Sequence, residues 1–201
     1  MPFPALLDAN VLIPLNTADL LLRLAEADTF CMLWSEQILD EIERNLVSQL
    51  GRTPEQAQRR VATMRVVFPD AMVTGYEPLI GAMTNDEKDR HVLAAAVRAN
   101  ADVIVTFNLK DSPSAALAPY DITAVAPDDF LLDQLELYPH RTLDCLYGLV
   151  FARQRPPLQL AEFLARFAGV APRFVAEVHE RLRQAEEATK SLMIPPRSPS
   201  E

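Results

Sequence analysis

Apolar positions along the first two thirds of the chain fall into two alternating patterns. Short continuous runs at Ala5–Leu7, Phe30–Trp34, Val103–Thr106 and Ile122–Val125 have the length and composition of buried strands. Ala71–Thr74 is a weaker run of the same kind. Between these runs apolar residues recur at helical spacing. Thr17 and Asp19 predict a helix over Leu20–Ala27, with Thr17 as its cap and Asp19 in the first turn. Ser35 predicts the cap of a helix carrying Ile38, Ile42, Leu46 and Leu50. Thr53-Pro54-Glu55-Gln56 supplies a cap, a first-position proline and a capping-box glutamine. Thr84-Asn85-Asp86-Glu87 predicts another capping box, opening a helix through about Asn100, and Pro127 opens a short helix.

Near-continuous apolar strands alternating with helices predict an α/β fold whose central parallel sheet is covered on both faces. Beyond residue 139 the strand signals stop. Tyr147–Phe151, then Leu158, Ala161, Phe163, Leu164 and Phe167, then Phe174, Val175, Val178 and Leu182 predict three amphipathic helices. The expected organisation is a sheet domain over 1–138, a helical C-terminal extension over 139–192, and a disordered tail over 193–201 rich in Pro and Ser.

The 201 residues carry 28 acids and 19 bases, a formal net charge of −9. The sheet domain has 21 acids against 10 bases, net −11, and residues 139–201 have 7 against 9, net +2. A grip on nucleic acid by bulk charge is therefore excluded, because phosphate backbones reward clustered Lys and Arg. Cys31 and Cys145 sit among apolar neighbours and are expected to be buried and reduced, in a cytoplasmic protein. MPFPALLDANVLIPL reads as a strand and not a signal peptide, and no apolar run is long enough to span a membrane. Five glycines and no Gly-x-Ser-x-Gly disfavour a phosphate loop or a serine hydrolase of that type.

The chemistry is expected at the carboxyl ends of the strands, where parallel sheets bind ligands. Asp8 follows the first strand directly, and Asn108 and Asp111 follow the Val103–Thr106 run. Asp86 and Asp89, three positions apart, are expected on one helix face. Glu41 borders the apolar stripe of its helix. Converging acids repel one another unless a hard divalent cation offsets them, and an all-oxygen set suits Mg²⁺ or Mn²⁺. Such an ion activates a water and steadies charge on a phosphate. Taken singly, the acids have plainer readings: a helix cap for Asp8 and Asp86, a turn residue for Asp111, a solvated helix edge for Glu41.

Four blocks of the chain, LLDANVLIP, SEQILDEIERNL, DEKDRHVLAAAV and IVTFNLKDSP, resemble those of PIN-domain nucleases over about residues 3–135. The resemblance is to the bacterial branch of VapC-type toxins of toxin–antitoxin pairs. It implies a three-layer α/β/α PIN-like fold and a Mg²⁺- or Mn²⁺-dependent endoribonuclease giving 5′-phosphate and 3′-hydroxyl products. It implies Asp8, Glu41 and Asp89 as catalytic, metal-binding acids, with Asp86 as a supporting ligand. The fourth block departs from the commonest pattern. Asn108 stands two positions after Thr106 where many members have Asp, and Ser112 stands where an aromatic often follows. Asp111 is the expected replacement carboxylate, with Thr106, Asn108 and Asn10 shaping the site. The departures bear on a second metal and not on the first.

Arg90 is the expected phosphate contact, with an ion pair to Asp86 as its alternative, and His91 is expected to serve structure. The arginines of the extension, among them Arg141, Arg153, Arg155, Arg166, Arg173, Arg181 and Arg183, are read as a solvated or packing face, with RNA binding or antitoxin docking as alternatives. Expected partners are an RNA substrate, an antitoxin protein and a second copy in a homodimer. Two other functions stay open at this point: a non-catalytic PIN-like binding module, which Asn108 and Ser112 favour, and a phosphatase or phosphotransferase with Asp8 as nucleophile, which Asn10 disfavours.

Overall fold

The computed structural model describes residues 2–153 and 158–193; Arg155 and residues 194–201, most of the expected tail, lie outside the described residues. Five strands form one sheet: β1 (Pro4–Leu7), β2 (Cys31–Ser35), β3 (Met72–Val73), β4 (Val103–Val105) and β5 (Thr123–Val125). Their order is β3-β2-β1-β4-β5, and every pairing is parallel. β1 lies at the centre, with Ala5 opposite Met32 on one side and Val103 on the other. Ala5, Leu6, Leu7, Ile104 and Val105 are fully buried, as strands covered on both faces must be.

The helices are α1 (Ala9–Leu12), α2 (Leu15–Glu26), α3 (Glu36–Ser48), α4 (Pro54–Val67), α5 (Arg90–Arg98), α6 (Ser114–Leu117), α7 (Pro127–Leu137), α8 (Pro139–Phe151), α9 (Leu160–Phe167) and α10 (Pro172–Met193). The right-handed crossover rule puts α2, α3 and α4 on one face of the sheet and α5 and α6 on the other. Ser35 caps α3 by accepting from the Ile38 amide at 3.3 Å. Thr53 and Gln56 close the capping box of α4 in both directions. Asp28 and Asn100, at positive φ, turn the chain out of α2 and α5 toward the strands that follow.

Local expectations fail in four places. α2 begins at Leu15 behind Pro14, so Thr17 lies inside the helix and is buried. Leu50 falls beyond the end of α3 and is exposed. The helix expected from Asn85 opens instead as a 3₁₀ turn, Glu87–Asp89, and α5 starts only at Arg90. Both cysteines are free, but Cys31 is exposed at the start of β2, before the strand enters the core, and Cys145 is half-buried on α8. The Cys145 thiol donates to the Arg23 carbonyl.

The C-terminal helices add to the α2 side. Arg141 on α8 donates to the Ala27 and Asp28 carbonyls, and Arg153 donates to Asn16. α10 lies on α7, where the Asp128 carboxylate accepts from the Arg173 and Phe174 amides at 3.2 and 2.9 Å. Asp128 thereby caps a helix 45 residues further along the chain. Phe163, Phe167 and Phe174 stack into a buried aromatic cluster between α9 and α10.

Candidate active site

The carboxyl ends of β1 and β4 lie side by side, and the chain leaves both with polar residues. The Asp8 amide still donates to Val105 in the ladder, and the Thr106 amide donates to Val125. Asp8 and Thr106 are thus held at one edge, both almost wholly buried. Asp8 occupies the N-cap position of α1 yet makes no side-chain cap bond. Its Oδ2 accepts from the Thr106 hydroxyl at 2.7 Å and from the Asn10 amide at 2.5 Å. The Asn10 amide also reaches Thr106 Oγ1 at 2.9 Å, while its carbonyl accepts from the Phe107 amide at 3.0 Å. Thr106 Oγ1 in turn accepts from the Asn108 amide. The three residues expected to shape the site are therefore tied directly or in series to Asp8.

Around this core stand three further acids. Asp89, half-buried at the start of α5, has its pKa pushed up to about 6, first by burial and then by the charges of Asp8, Asp111 and Glu41. Burial, with a contribution from Glu41, also holds Asp8 above the ordinary carboxylate range, against the opposing bond from Thr106. Carboxylates that far apart in sequence feel one another only because the fold gathers them. Glu41 reaches the group from α3, where its Oε1 stands 3.1 Å from His91 Nε2 and 3.9 Å from Arg44. His91 is buried, and its Nδ1 has no partner among the described residues.

The fourth block is reorganised. The Asn108 side-chain amide donates to the Asp111 carboxylate, so the neutral residue orients the acid that follows it. The Asp86 amide donates to the Asp111 carbonyl, linking this turn to the turn at Glu87–Asp89. The Asp86 carboxylate accepts from the Lys88 amide at 3.1 Å. That is a cap, and the expected placement of Asp86 on a shared helix face with Asp89 gives way to it, because the chain is in a 3₁₀ turn here. Arg90 forms no ion pair with Asp86 among the described residues, and its Nε is buried without a partner.

Two features were not placed by the sequence: the partner of His91, a residue expected near the site in a structural role, and the groove beside it. His91 lies two positions after Asp89, a polar residue set among the buried Val92, Leu93 and Ala94; that interruption of an apolar face was the available signal. A groove of about 560 Å³ runs beside Glu41 and His91, flanked by Gln37, Arg44 and Lys88. Nothing in local sequence brings Arg44 and Lys88 together.

The donor set is oxygen-rich and anionic, with histidine at its margin, which fits a hard divalent cation. Among the described residues no three acidic, imidazole or thiol groups close into a ready metal cage. Mg²⁺ does not require one: it usually keeps several waters and takes one or two carboxylates together with substrate phosphates.

An acidic edge on a parallel sheet of this order is the arrangement of a PIN domain. Residues 4–110 match the PIN domain family model, and the chain belongs to that family. Residues 127–180 match a second family model, the VapC50 C-terminal domain. A protein of Mycobacterium tuberculosis strain H37Rv, named "Putative ribonuclease VapC50", is 51% identical over 107 residues. The match covers 53% of this chain and 63% of that protein. No solved structure matches the chain. No helix of the described residues is long and apolar enough to cross a membrane.

Proposed function

We propose that this protein is a metal-dependent endoribonuclease and the toxin of a toxin–antitoxin pair. The observation that carries the reading is geometric: the fold gathers Asp8, Glu41, Asp89 and Asp111 at one edge, close enough that the charges of the other three add to burial in raising the Asp89 pKa by mutual repulsion. Maintaining such repulsion in a folded protein makes sense where a cation offsets it. The relationship to a protein named as a ribonuclease supports the substrate class.

Asp8, Glu41 and Asp89 would hold Mg²⁺, with Mn²⁺ as an alternative ion, and Asp111 would supply the carboxylate that Asn108 lacks. When bound, the ion activates a water and offsets charge on the phosphodiester. Thr106 and Asn10 fix one oxygen of Asp8 and leave the other for the ligand. Asn108 does the same for Asp111. Arg90 is the proposed phosphate contact, and Asp86 serves the turn that positions Asp89. The domain division at 138, a cytoplasmic location, an antitoxin partner and a homodimer belong to the same proposal.

The second reading, a non-catalytic module, is favoured by the neutral Asn108. Phosphotransfer through Asp8 is not favoured, since that carboxylate is buried and bonded to Asn10 and Thr106. The test is cleavage of a structured RNA with Mg²⁺, with EDTA, and by Asp8→Ala. Cleavage that EDTA and Asp8→Ala both abolish supports the nuclease. Equal cleavage by Asp8→Ala overturns the site, and absence of Mg²⁺ and Mn²⁺ binding in a calorimetric titration selects the module.

A further inference from the structure

The chain presents one large aromatic ring to solvent directly beside the acids. Val105 and Thr106 are withdrawn from water, but Phe107 is 41% exposed. Its backbone is nevertheless fixed. The Phe107 amide donates to Asn10 Oδ1 at 3.0 Å, and the Asn10 amide nitrogen donates to Asp8 at 2.5 Å. Two hydrogen bonds in series therefore relate the backbone of Phe107 to the carboxylate of Asp8. Leu109, two residues on, is 42% exposed on the turn that carries Asp111. Phe107 and Leu109 are thus two exposed apolar side chains at the rim of an anionic site, with the exposed Lys110 beside Leu109.

The charge inventory explains why such side chains matter. The protein is net −9, and the arginines of its described C-terminal helices are engaged. Arg166, Arg173, Arg181 and Arg183 pair with Glu162, Asp129, Glu177 and Glu180, while Arg141 and Arg153 bond to the α2 region. Basic groups at the site itself are few, Arg44 and Lys88 beside Glu41 and the proposed contact Arg90, so an uncharged contact adds to what phosphate contacts supply. Stacking of bases on aromatic rings is indifferent to charge, tolerant of sequence, and available only where bases are unpaired.

We propose that Phe107 is the stacking platform for the nucleobase flanking the scissile phosphate of a single-stranded RNA segment. This rests on the ribonuclease reading above. A phosphodiester placed at Asp8 sets its neighbouring base over the residue whose backbone Asn10 fixes there. The preferred target is then an unpaired loop or end, with weak discrimination among bases.

The test is a cycle between protein and substrate, using the full chain with Mg²⁺. Wild type, Phe107→Ala and Phe107→Trp are compared on an unstructured oligoribonucleotide and on the same strand made abasic beside the cut. Phe107→Ala is expected to raise KM by roughly 5- to 150-fold on the complete strand, the range that stacking of one base is worth. Removing the base is expected to cost the wild type a similar factor, and the two losses are not expected to add. Phe107→Trp restores KM. Unchanged KM in Phe107→Ala, or losses that multiply, overturn the proposal.

Binding is read separately. Trp34 is fully buried, so the indole of Phe107→Trp is the accessible one. In an Asp8→Ala background, which keeps the strand intact, its emission is expected to be quenched by the complete oligoribonucleotide and much less by the abasic strand. Quenching by an antitoxin peptide but not by RNA assigns the ring to a protein interface and overturns the proposal. Quenching by RNA in a protein whose wild type cleaves nothing overturns the nuclease reading while leaving the stacking site standing.

Discussion

His91 Nε2 meets Glu41 Oε1 at 3.1 Å across 50 residues of sequence, joining α5 to α3 at the mouth of the acidic site. The bond fixes where the Glu41 carboxylate points. His91→Ala releases it toward Arg44, which already stands 3.9 Å away. Partners that orient metal ligands are worth roughly 10- to 100-fold in metal affinity or activity. A loss of that size in Mg²⁺ affinity is expected for His91→Ala by calorimetry, with partial recovery in His91→Gln, whose amide still donates.

Asp89 makes the metal-free protein sensitive to pH. Its carboxyl titrates near 3.8 when free of the fold and at about 6 in it, so the folded state binds the proton more tightly. Stability from this group is therefore full at low pH, is lost as pH rises through about 6, and stays lost above it. Asp8 shifts in the same direction. In EDTA, Tm should fall between pH 5 and pH 7.5, and Asp89→Asn should flatten the fall. Mg²⁺ should restore more stability at pH 7.5 than at pH 5, because proton and cation compete for the same oxygens. Thermal melts at the two pH values check both.

Thr106 bonds to Asp8 as a donor and to Asn10 and Asn108 as an acceptor. Thr106→Val keeps the shape and removes all three. The expected outcome is a folded protein with cleavage reduced on the order of 10- to 100-fold, the scale for losing an orienting partner. Circular dichroism and single-turnover kinetics separate folding from chemistry.

Asp128→Ala uncaps α10. The two amides that the carboxylate accepts from lie in the first turn of that helix. Loss of such a cap costs about 0.5–2 kcal/mol. Denaturant unfolding should show a lower midpoint at unchanged RNA cleavage.

The arginines of the extension should be silent in RNA binding. Arg166 and Arg183 lie in exposed pairs with Glu162, Glu180 and Glu187, which solvent screens, and they stand on helices away from the acidic edge. Replacing both by Gln should leave the slope of log K against log salt unchanged. A slope smaller by about one for each arginine would mark it as a phosphate contact instead.

How much of this the sequence revealed depends on range. The strand runs and the Ser35 and Thr53 caps are local signals, and the fold follows them closely. The parallel α/β architecture follows from continuous apolar strands. Helix starts failed where a distant demand prevailed. Thr17 had the chemistry of a cap but is packed inside α2. Asp86 and Glu87 had the letters of a capping box, but the chain takes a tighter turn bonded to Asp111. Cys31 looked buried from its neighbours, but it stands at the exposed end of its strand. At the site, the acids Asp8, Glu41, Asp89 and Asp111 were legible as a set and the fold gathers them, and His91 was legible as a structural residue, but its bond to Glu41 was not. Its partner is on another helix, and nothing in the α5 sequence points to it.

The central place of β1 has a kinetic consequence. It is the first strand made, yet it needs β4 on one side, and Asp8 meets Thr106 only across 98 residues of sequence. Closing so long a loop is entropically costly and slows folding relative to chains with local contacts. A growing chain on the ribosome therefore carries Asp8 early but cannot present it correctly until β4 and the turn after it have emerged. Under the proposed ribonuclease reading, the site is complete only once the turn at Leu109–Asp111 has been made.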